Sequence, residues 1–451
     1  MYYALNPVYR LCGYRGMPYI LYHKHIHEFV GISSKDAQLI ESCDGISDIS
    51  PTPNLEYLVS SRVLLKSETP IVSKGEQKYT FYDNRYFKSV EWAITSSCNL
   101  NCRHCFVADN DQKRHDMFSL EESRIFIKEL VNCGVNEVHL TGGEPLTHPG
   151  FMQILQEITD AGLSIERIIT NGLLVNEELF EKLRALNQSP MFAVSFDGLG
   201  KHEWLRNTPN IEQKTLDKIK LIKDAGFDVS VQMSLHRGNI DSVWDTVQYL
   251  EEMGIRYMRM MRTGEAPRWL KYKDLSLSAE EYYDFALDFI EKYIKANGKI
   301  SISIWEVLWY DNHRKIKVRP FNKKADSDKQ PACTDAHFNF FVGSTGEVSP
   351  CIPLSGGLMA RGISMGNVKS VSLQSILSDS PLTQHTFKTL RDLWDVNSQC
   401  NECKYKYLCC GGCRAIAYGL TDDFNGIDPL KCIFFKNGYN DRLNSIINSC
   451  S

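Results

Sequence analysis

From residue 89 to about 263 the chain alternates short apolar runs with amphipathic stretches, a pattern that few folds accommodate. Six runs predict strands: VEWAIT (90–95), NEVHLTG (136–142), IERIIT (165–170), MFAVSFD (191–197), FDVSVQMSL (227–235) and YMRMMR (257–262). Between them, segments such as LEESRIFIKELVN and LDKIKLIKDAG carry apolar residues at helical spacing, and several end at a glycine that stops the helix in a left-handed cap. Right-handed crossovers wind such units into a doubly wound sheet or a barrel, and six units leave a barrel incompletely closed. In both arrangements function gathers at the C-terminal ends of the strands. Cys98 follows the first strand, Gly142-Gly143-Glu144 the second, Thr170-Asn171-Gly172 the third and Asp197-Gly198 the fourth.

At 451 residues the chain is too long for one ordinary core, and two or three domains are expected. A net charge of -4 offers no basic footprint for nucleic acid. The start, MYYALNPVYRLCGYRG, lacks an apolar core behind a basic flank, and no run of about 18 apolar residues occurs, so a cytoplasmic, non-membrane protein is expected. Fifteen cysteines then read as metal ligands rather than disulfides, because a reducing compartment keeps thiols free. Cys98, Cys102 and Cys105 cluster early, Cys333, Cys351, Cys400, Cys403, Cys409, Cys413 and Cys432 are among those that crowd the last third, and residues 134–332 contain none.

The early three form Cys98-x3-Cys102-x2-Cys105 in the loop after a strand. Three thiolates on a cubane leave the fourth iron open, whereas structural zinc wants four closed ligands. Thr141-Gly142-Gly143-Glu144-Pro145 ends the next strand; its glycines let backbone approach a ligand closely, and Glu144 offers an acceptor for an ammonium group. In register, the two motifs resemble the radical S-adenosylmethionine (SAM) superfamily over residues 89–265. The resemblance implies a 4Fe-4S cluster on Cys98, Cys102 and Cys105, with SAM chelated to its open iron. It also implies Gly142, Gly143 and Glu144 at the methionine amino end, and Asn171, Ser195 and Arg206 near the ribose or carboxylate. The chemistry implied is reductive cleavage of SAM to a 5'-deoxyadenosyl radical that abstracts hydrogen, the cofactor carrying the hard step.

The later cysteines read Cys333-x12-Gly346-x4-Cys351, then Cys400-x2-Cys403-x5-Cys409-x3-Cys413-x18-Cys432. This spacing resembles the SPASM domain, with a zinc ribbon as the structural alternative. The resemblance assigns Cys400, Cys403, Cys409 and Cys432 to one auxiliary 4Fe-4S cluster and Cys333, Cys351 and Cys413 to a second, which lacks a fourth ligand. Cys410 is one candidate for it; water, a distant residue or a substrate thiolate are others. Cys12, Cys43 and Cys133 read as buried small hydrophobes. Cys450 is left without a role.

The expected architecture is α/β: a winged-helix-like module over residues 1–85, a partial (β/α)6 TIM-like barrel over 86–310, and a cysteine-rich iron-sulfur domain over 311–451. In the module, ALNPVYRL and MPYILYHKHIHEF predict strands, a helix opens at Ser33-Ser34, and LEYLVSSRVLL is a second apolar stretch. The charged segment 311–330 predicts a linker. Relatives in the resembled group act mostly on peptides, which implies a peptide substrate with a leader bound by strand addition to the module, and a flavodoxin- or ferredoxin-type electron donor. Thioether formation is the favoured modification. Sulfatase-type oxidation of Cys or Ser is disfavoured by Ile352, where such enzymes place an aspartate. A small-molecule radical enzyme and a non-catalytic iron-sulfur or zinc protein are the remaining alternatives. His23, His25 and His27 alternate along a predicted strand, an arrangement open to a metal but more ordinary on an exposed face. Arg259, Arg262, Glu265 and Arg268 are charged residues at a strand end with no assigned role.

Overall fold

The computed structural model describes all residues except 27, 72–78, 106–114, 265, 267, 312–317, 322–323 and 450–451. His27, Glu265 and Cys450 therefore lie outside the described residues. The first 82 residues enclose a small core of Leu5, Leu11, Leu21, Ile40, Leu55 and Leu64. Strand β1 (Tyr2–Leu5) pairs with β5 (Leu64–Ser67), while β2 (Tyr9–Tyr14), β3 (Met17–His23), β4 (Glu28–Gly31) and β6 (Thr80–Tyr82) form a second sheet in the order β4-β3-β2-β6. Two helices cover them. Ser33 caps Ser34–Ser42 by accepting the Asp36 N–H, and Thr52 caps Pro53–Ser60 by accepting that of Leu55.

Three expectations in this region are corrected. MPYILYHKHIHEF is two strands, because His23 Nδ1 accepts the N–H groups of His25 and Ile26 at 3.3 Å and closes a turn after β3. His25 sits in that turn, so the histidines do not share a strand face. ALNPVYRL divides at Asn6, whose Oδ1 accepts the Val8 N–H, and LEYLVSSRVLL divides into a helix end and β5.

The main sheet has eleven strands among the described residues. β7 (Ser89–Ala93), β8 (Glu137–Thr141), β9 (Ser164–Thr170), β10 (Met191–Ser195), β11 (Val229–Leu235) and β12 (Tyr257–Arg262) are the six expected strands. They lie side by side in chain order, all parallel, and β13 (Ser301–Ile304) adds a seventh parallel strand beyond β12. β14 (Leu308–Tyr310) and β15 (Val318–Pro320) extend that edge antiparallel, so part of the expected 311–330 linker is sheet. At the opposite edge β16 (Asn339–Val342) pairs parallel with β7 and forms a hairpin with β17 (Val348–Ser349). The cysteine-rich segment thus supplies a sheet strand that six-unit counting omits.

One face of the sheet is apolar and carries the helices. Val90, Trp92, Val138, Leu140, Ile168, Phe192, Val194, Val231, Met258, Met260 and Ile302 all join one core. Trp92 meets Phe118 and Phe126 edge-on at 5.1 and 5.0 Å. Alternation puts the intervening side chains on the other face, and these are polar. Glu91, His139 and Arg167 lie opposite one another across three strands, and Ser195, Gln232, Arg259 and Ser303 across four.

The small module docks on this body through Tyr14 Oη, which donates to Gly134 O at 2.7 Å, and Tyr22 Oη, which donates to Glu137 at 3.1 Å. Phe29 packs against Tyr86 and Phe338. No helix among the described residues is long and apolar enough to cross a membrane.

The inward face carries a pH signature. Burial, and then the Arg167 charge, lower His139 to about 3, whereas an unfolded chain protonates near about 6.5. The unfolded state therefore binds the extra proton, and stability falls as pH drops from about 6.5 toward about 3. Between about pH 7.5 and about pH 5.5 the urea midpoint of the wild type is expected to fall further than that of His139→Gln.

Candidate active site

β7 continues as Thr95–Ser97 alongside the turn after β8. Gly143 N donates to Thr95 O at 2.7 Å and Glu144 N to Ser97 O at 2.8 Å. A Cβ on Gly142 would stand 2.3 Å from Thr95 O, and one on Gly143 would stand 2.4 Å from both Ser96 O and Ser97 O. The close approach these glycines permit is to the chain's own backbone, the stretch that delivers Cys98.

Glu144 is fully buried. Its carboxylate accepts from Thr170 Oγ1 at 2.8 Å, Asn171 N at 2.7 Å and Leu146 N at 3.2 Å. Burial raises it to about 7 against the pull of those bonds. Asn171 in turn donates from Nδ2 to Asn99 Oδ1 at 2.7 Å, tying the cysteine loop to the end of β9. Sequence reading gives Glu144 an ammonium to hold; the structure adds that it braces two strand ends.

The thiols of Cys98, Cys102 and Cys105 are partly exposed in one loop. Burial raises Cys98 to about 12, with the Glu144 carboxylate and the other two thiols adding to it. Arg206 brings positive charge: its Nη1 lies 3.8 Å from Cys102 Sγ and its Nε donates to Asp197 Oδ2 at 2.7 Å. Asp197 has no exposed surface and also accepts the Ser234 N–H, while His202 Nδ1 lies 3.3 Å away. Burial alone would raise Asp197, but Arg206 and His202 override it and hold the carboxyl far below the usual range. Ser195 faces inward two residues before Asp197. Arg103 fixes the loop from outside, donating from Nε to Tyr272 Oη at 3.2 Å and lying over the Trp204 ring.

In the C-terminal part the thiols fall into two groups. Burial raises Cys351, and Cys413 and Cys333 raise it further. Burial raises Cys400, with Cys432 and Cys403 adding, and it raises Cys409 to about 12 with Cys432 among the contributors. Cys410 Sγ lies 3.3 Å from Tyr407 O and packs in a small cluster with Ala332, Leu390, Leu393 and Trp394. Cys12, Cys43 and Cys133 are each about 1% exposed among apolar side chains. Asp428 joins the groups: it accepts from Cys413 N at 2.8 Å and Lys431 N at 3.0 Å, and Lys431 Nζ pairs with Glu306 at 3.3 Å.

Residues 92–250 match the radical SAM superfamily, and residues 333–404 match the SPASM iron-sulfur cluster-binding domain. The chain carries a radical SAM domain and a SPASM domain. It is 27% identical over 355 residues to the AdoMet-dependent heme synthase of Methanosarcina barkeri, covering 76% of this chain and 96% of that protein. It is 23% identical over 322 residues to the subtilosin biosynthesis protein AlbA of Bacillus subtilis, covering 71% and 65%. Its fold is similar to Streptococcus suis SuiB bound to precursor peptide SuiA, with a TM-score of 0.66 at 14% identity, covering 95% of this chain and 99% of that one.

These domains imply 4Fe-4S clusters and SAM as cofactors, and the relatives are enzymes. The donor set fits. Cys98, Cys102 and Cys105 stand partly exposed in one loop, and Arg206 Nη1, 3.8 Å from Cys102 Sγ, brings a positive charge that favours thiolate ligands. A cubane takes each such thiolate on a different iron. Sequence reading singled out Cys98, Cys102, Cys105, Gly142–Glu144, Asn171 and Arg206, and the structure gathers all of them at adjacent strand ends. It missed Asp197, Thr170 and Asn99 as their supports; an acid nine residues before Arg206 at a strand end was the available signal for Asp197.

Two outcomes follow for the radical SAM/SPASM enzyme. Gly143→Ala displaces the backbone before Cys98, so reconstituted iron is expected to fall by about four per chain while the C-terminal thiols still load. Asp197→Asn leaves Arg206 buried without its counter-charge, which should cost about 3–5 kcal/mol in denaturant unfolding. It should also weaken equilibrium SAM binding by about tenfold.

Proposed function

We propose that this enzyme abstracts hydrogen from a peptide and joins two of its atoms in a cross-link, a thioether being the favoured bond. The observation that carries the reading is the small module of residues 1–85. It has its own core, and its edge strand β4 has one hydrogen-bonded neighbour, with Val30 54% exposed. An extended leader can add to such an edge through main-chain hydrogen bonds, as a winged-helix-like recognition element would use. Whole-length likeness to a peptide-bound enzyme, module included, supports it.

In this reading the open sheet of residues 86–310 acts as a partial (β/α)6 barrel and residues 311–451 hold auxiliary clusters. Cys98, Cys102 and Cys105 hold the SAM-binding cluster. Cys400, Cys403, Cys409 and Cys432 hold one auxiliary cluster; Cys333, Cys351 and Cys413 hold the other. When bound, the first cluster and SAM together supply a hydrogen-abstracting adenosyl radical. Gly142, Gly143 and Glu144 set the wall for the methionine amino end. Asn171 and Arg206 orient the polar groups of SAM from two sides, Asp197 keeps Arg206 from swinging away, and Ser195 stands below them. A flavodoxin- or ferredoxin-type protein donates the electron.

A second reading, action on a tetrapyrrole, is favoured by the 27% identity to a heme synthase. Both are tested on anaerobically reconstituted enzyme with SAM and dithionite, using any short cysteine-containing peptide found encoded beside the gene and, separately, Fe-coproporphyrin III. The expected result is peptide-dependent 5'-deoxyadenosine with loss of two hydrogens per cross-link, none of it in the Cys98/Cys102/Cys105 triple-alanine variant. Gly31→Pro, which removes an N–H on the unpaired side of β4, should slow peptide-dependent turnover and leave peptide-free SAM cleavage unchanged. Turnover of the tetrapyrrole with the peptide untouched would overturn the peptide reading.

A further inference from the structure

The inward face of the sheet holds more uncompensated polarity than SAM binding requires. Arg259 lies in one cross-strand row with Ser195, Gln232 and Ser303. Its Nε and the Ser303 Oγ are both buried without a hydrogen-bond partner, and so is Thr263 Oγ1, on the same face just past the end of β12. Arg167 projects from the same face of β9, in the row of Glu91 and His139, and its charge, after burial, lowers Arg259. Unpaired buried donors of this kind cost stability unless a ligand or water satisfies them. Three such atoms on one wall describe a site built for an acceptor.

The charges on that wall say which acceptor. Arg167 and Arg259 contribute two positive charges, and Glu91, which burial and then the Asp335 charge raise to about 7, contributes only part of one negative charge. His139 is held neutral by burial, and Asp335, at the exposed rim, is bonded to Asn339 Nδ2 and screened by solvent. A surplus of at least one but less than two positive charges, presented by planar guanidinium groups, matches a single carboxylate better than a phosphate dianion. The row is also close to the chemistry. Ser195 shares it with Arg259 and lies two residues, about 7 Å of strand, below the Asp197 that orients Arg206 at Cys102.

We infer that Arg259 and Arg167, with the Ser303 hydroxyl, form a carboxylate-binding site inside the sheet that anchors a carboxylate group of the substrate beside the SAM site. The acid would come from a glutamate or aspartate side chain of a peptide or from a propionate of a tetrapyrrole, which present the same group. That the anchored molecule is the substrate rests on the radical-enzyme reading; that a carboxylate binds here does not, and the test uses no turnover.

Equilibrium binding is measured on the full-length, cluster-loaded enzyme with SAM present and no reductant. The probes are N-acetyl-glutamate amide, N-acetyl-glutamine amide, coproporphyrin III and inorganic phosphate, followed by ligand-observed NMR or, for the porphyrin, absorbance. At least one carboxylate probe should bind, and the glutamine amide should not. Arg259→Gln and Arg167→Gln should each weaken that probe by about tenfold while SAM affinity, cluster absorbance and melting temperature are kept. Which carboxylate binds identifies the source. Equal binding of the glutamine amide, a preference for phosphate, an unchanged affinity in both variants, or no carboxylate binding at about 10 mM would each overturn the inference. So would loss of SAM binding in parallel with probe binding, because the arginines would then belong to the SAM site. Should Arg259→Gln fail to fold, Ser303→Ala, which removes only the hydroxyl, should still weaken the carboxylate probe.

Discussion

Two glycines without side chains make the active site of this enzyme possible. Where Gly142 and Gly143 pass Thr95–Ser97, hydrogen bonds of 2.7 and 2.8 Å draw two backbones together in space that any Cβ would fill. That pairing carries β7 past its last strand residue and sets the direction in which the chain enters Cys98. Glu144 then spends its buried carboxylate on Thr170 and Asn171, and Asn171 reaches back to Asn99. Three strand ends are thereby bound to one cysteine loop. The thiols need not be gathered by packing, because the backbone before them has a single route.

The same sheet solves a second problem with its alternation. Val, Ile, Met and Trp on one face bury against helices and stabilise the fold at about 1.5–3 kcal/mol for each large side chain buried. That surplus lets the other face carry Glu91, His139, Arg167, Gln232 and Arg259, whose desolvation opposes folding. A polar interior in a parallel sheet is a cost that only a ligand-binding function accounts for, and it lies under the strand ends where the cofactor residues collect.

Much of this was legible in the sequence. The six central strands were found to within about two residues because period-two runs with apolar neighbours and glycine-capped helices leave little choice. Both cysteine motifs were read through the resemblance of their spacing to known iron-sulfur domains. The misses have physical causes. SISI, which forms β13, is short and half polar, and NFFV, which forms β16, is separated from its partner β7 by some 250 positions; strand pairing of that range has no local signal. The His23 turn was hidden because a side chain closes it where glycine or proline was expected. Glu144 was assigned outward, toward a ligand, because its partners Thr170 and Asn171 belong to the next strand and are contacts of tertiary structure. Arg259 was noticed yet left without a role, since one of the two arginines in YMRMMR becomes meaningful only when Ser303 stands beside it and Arg167 shares its face.

The long-range pairing of β16 with β7 carries the widest consequence. β7 leads to Cys98, and the β16–β17 hairpin is flanked by Cys333 on one side and Cys351 on the other. The SAM-site thiols and two of the C-terminal thiols therefore hang from hydrogen-bonded neighbours in one sheet. Their separation is held by ladder bonds and by the buried contacts of Phe340 and Val342 in the main core, so it does not depend on a hinge between domains. The other C-terminal thiols are joined to this frame by buried polar links: Asp428 binds the backbone at Cys413, and Lys431, beside Cys432, reaches Glu306 at the turn after β13. Both edges of the sheet thus hold the cysteine-rich segment, β7 through β16 and β13 through Glu306. A chain built this way keeps its cysteine-bearing ends at fixed distances from the polar interior between them.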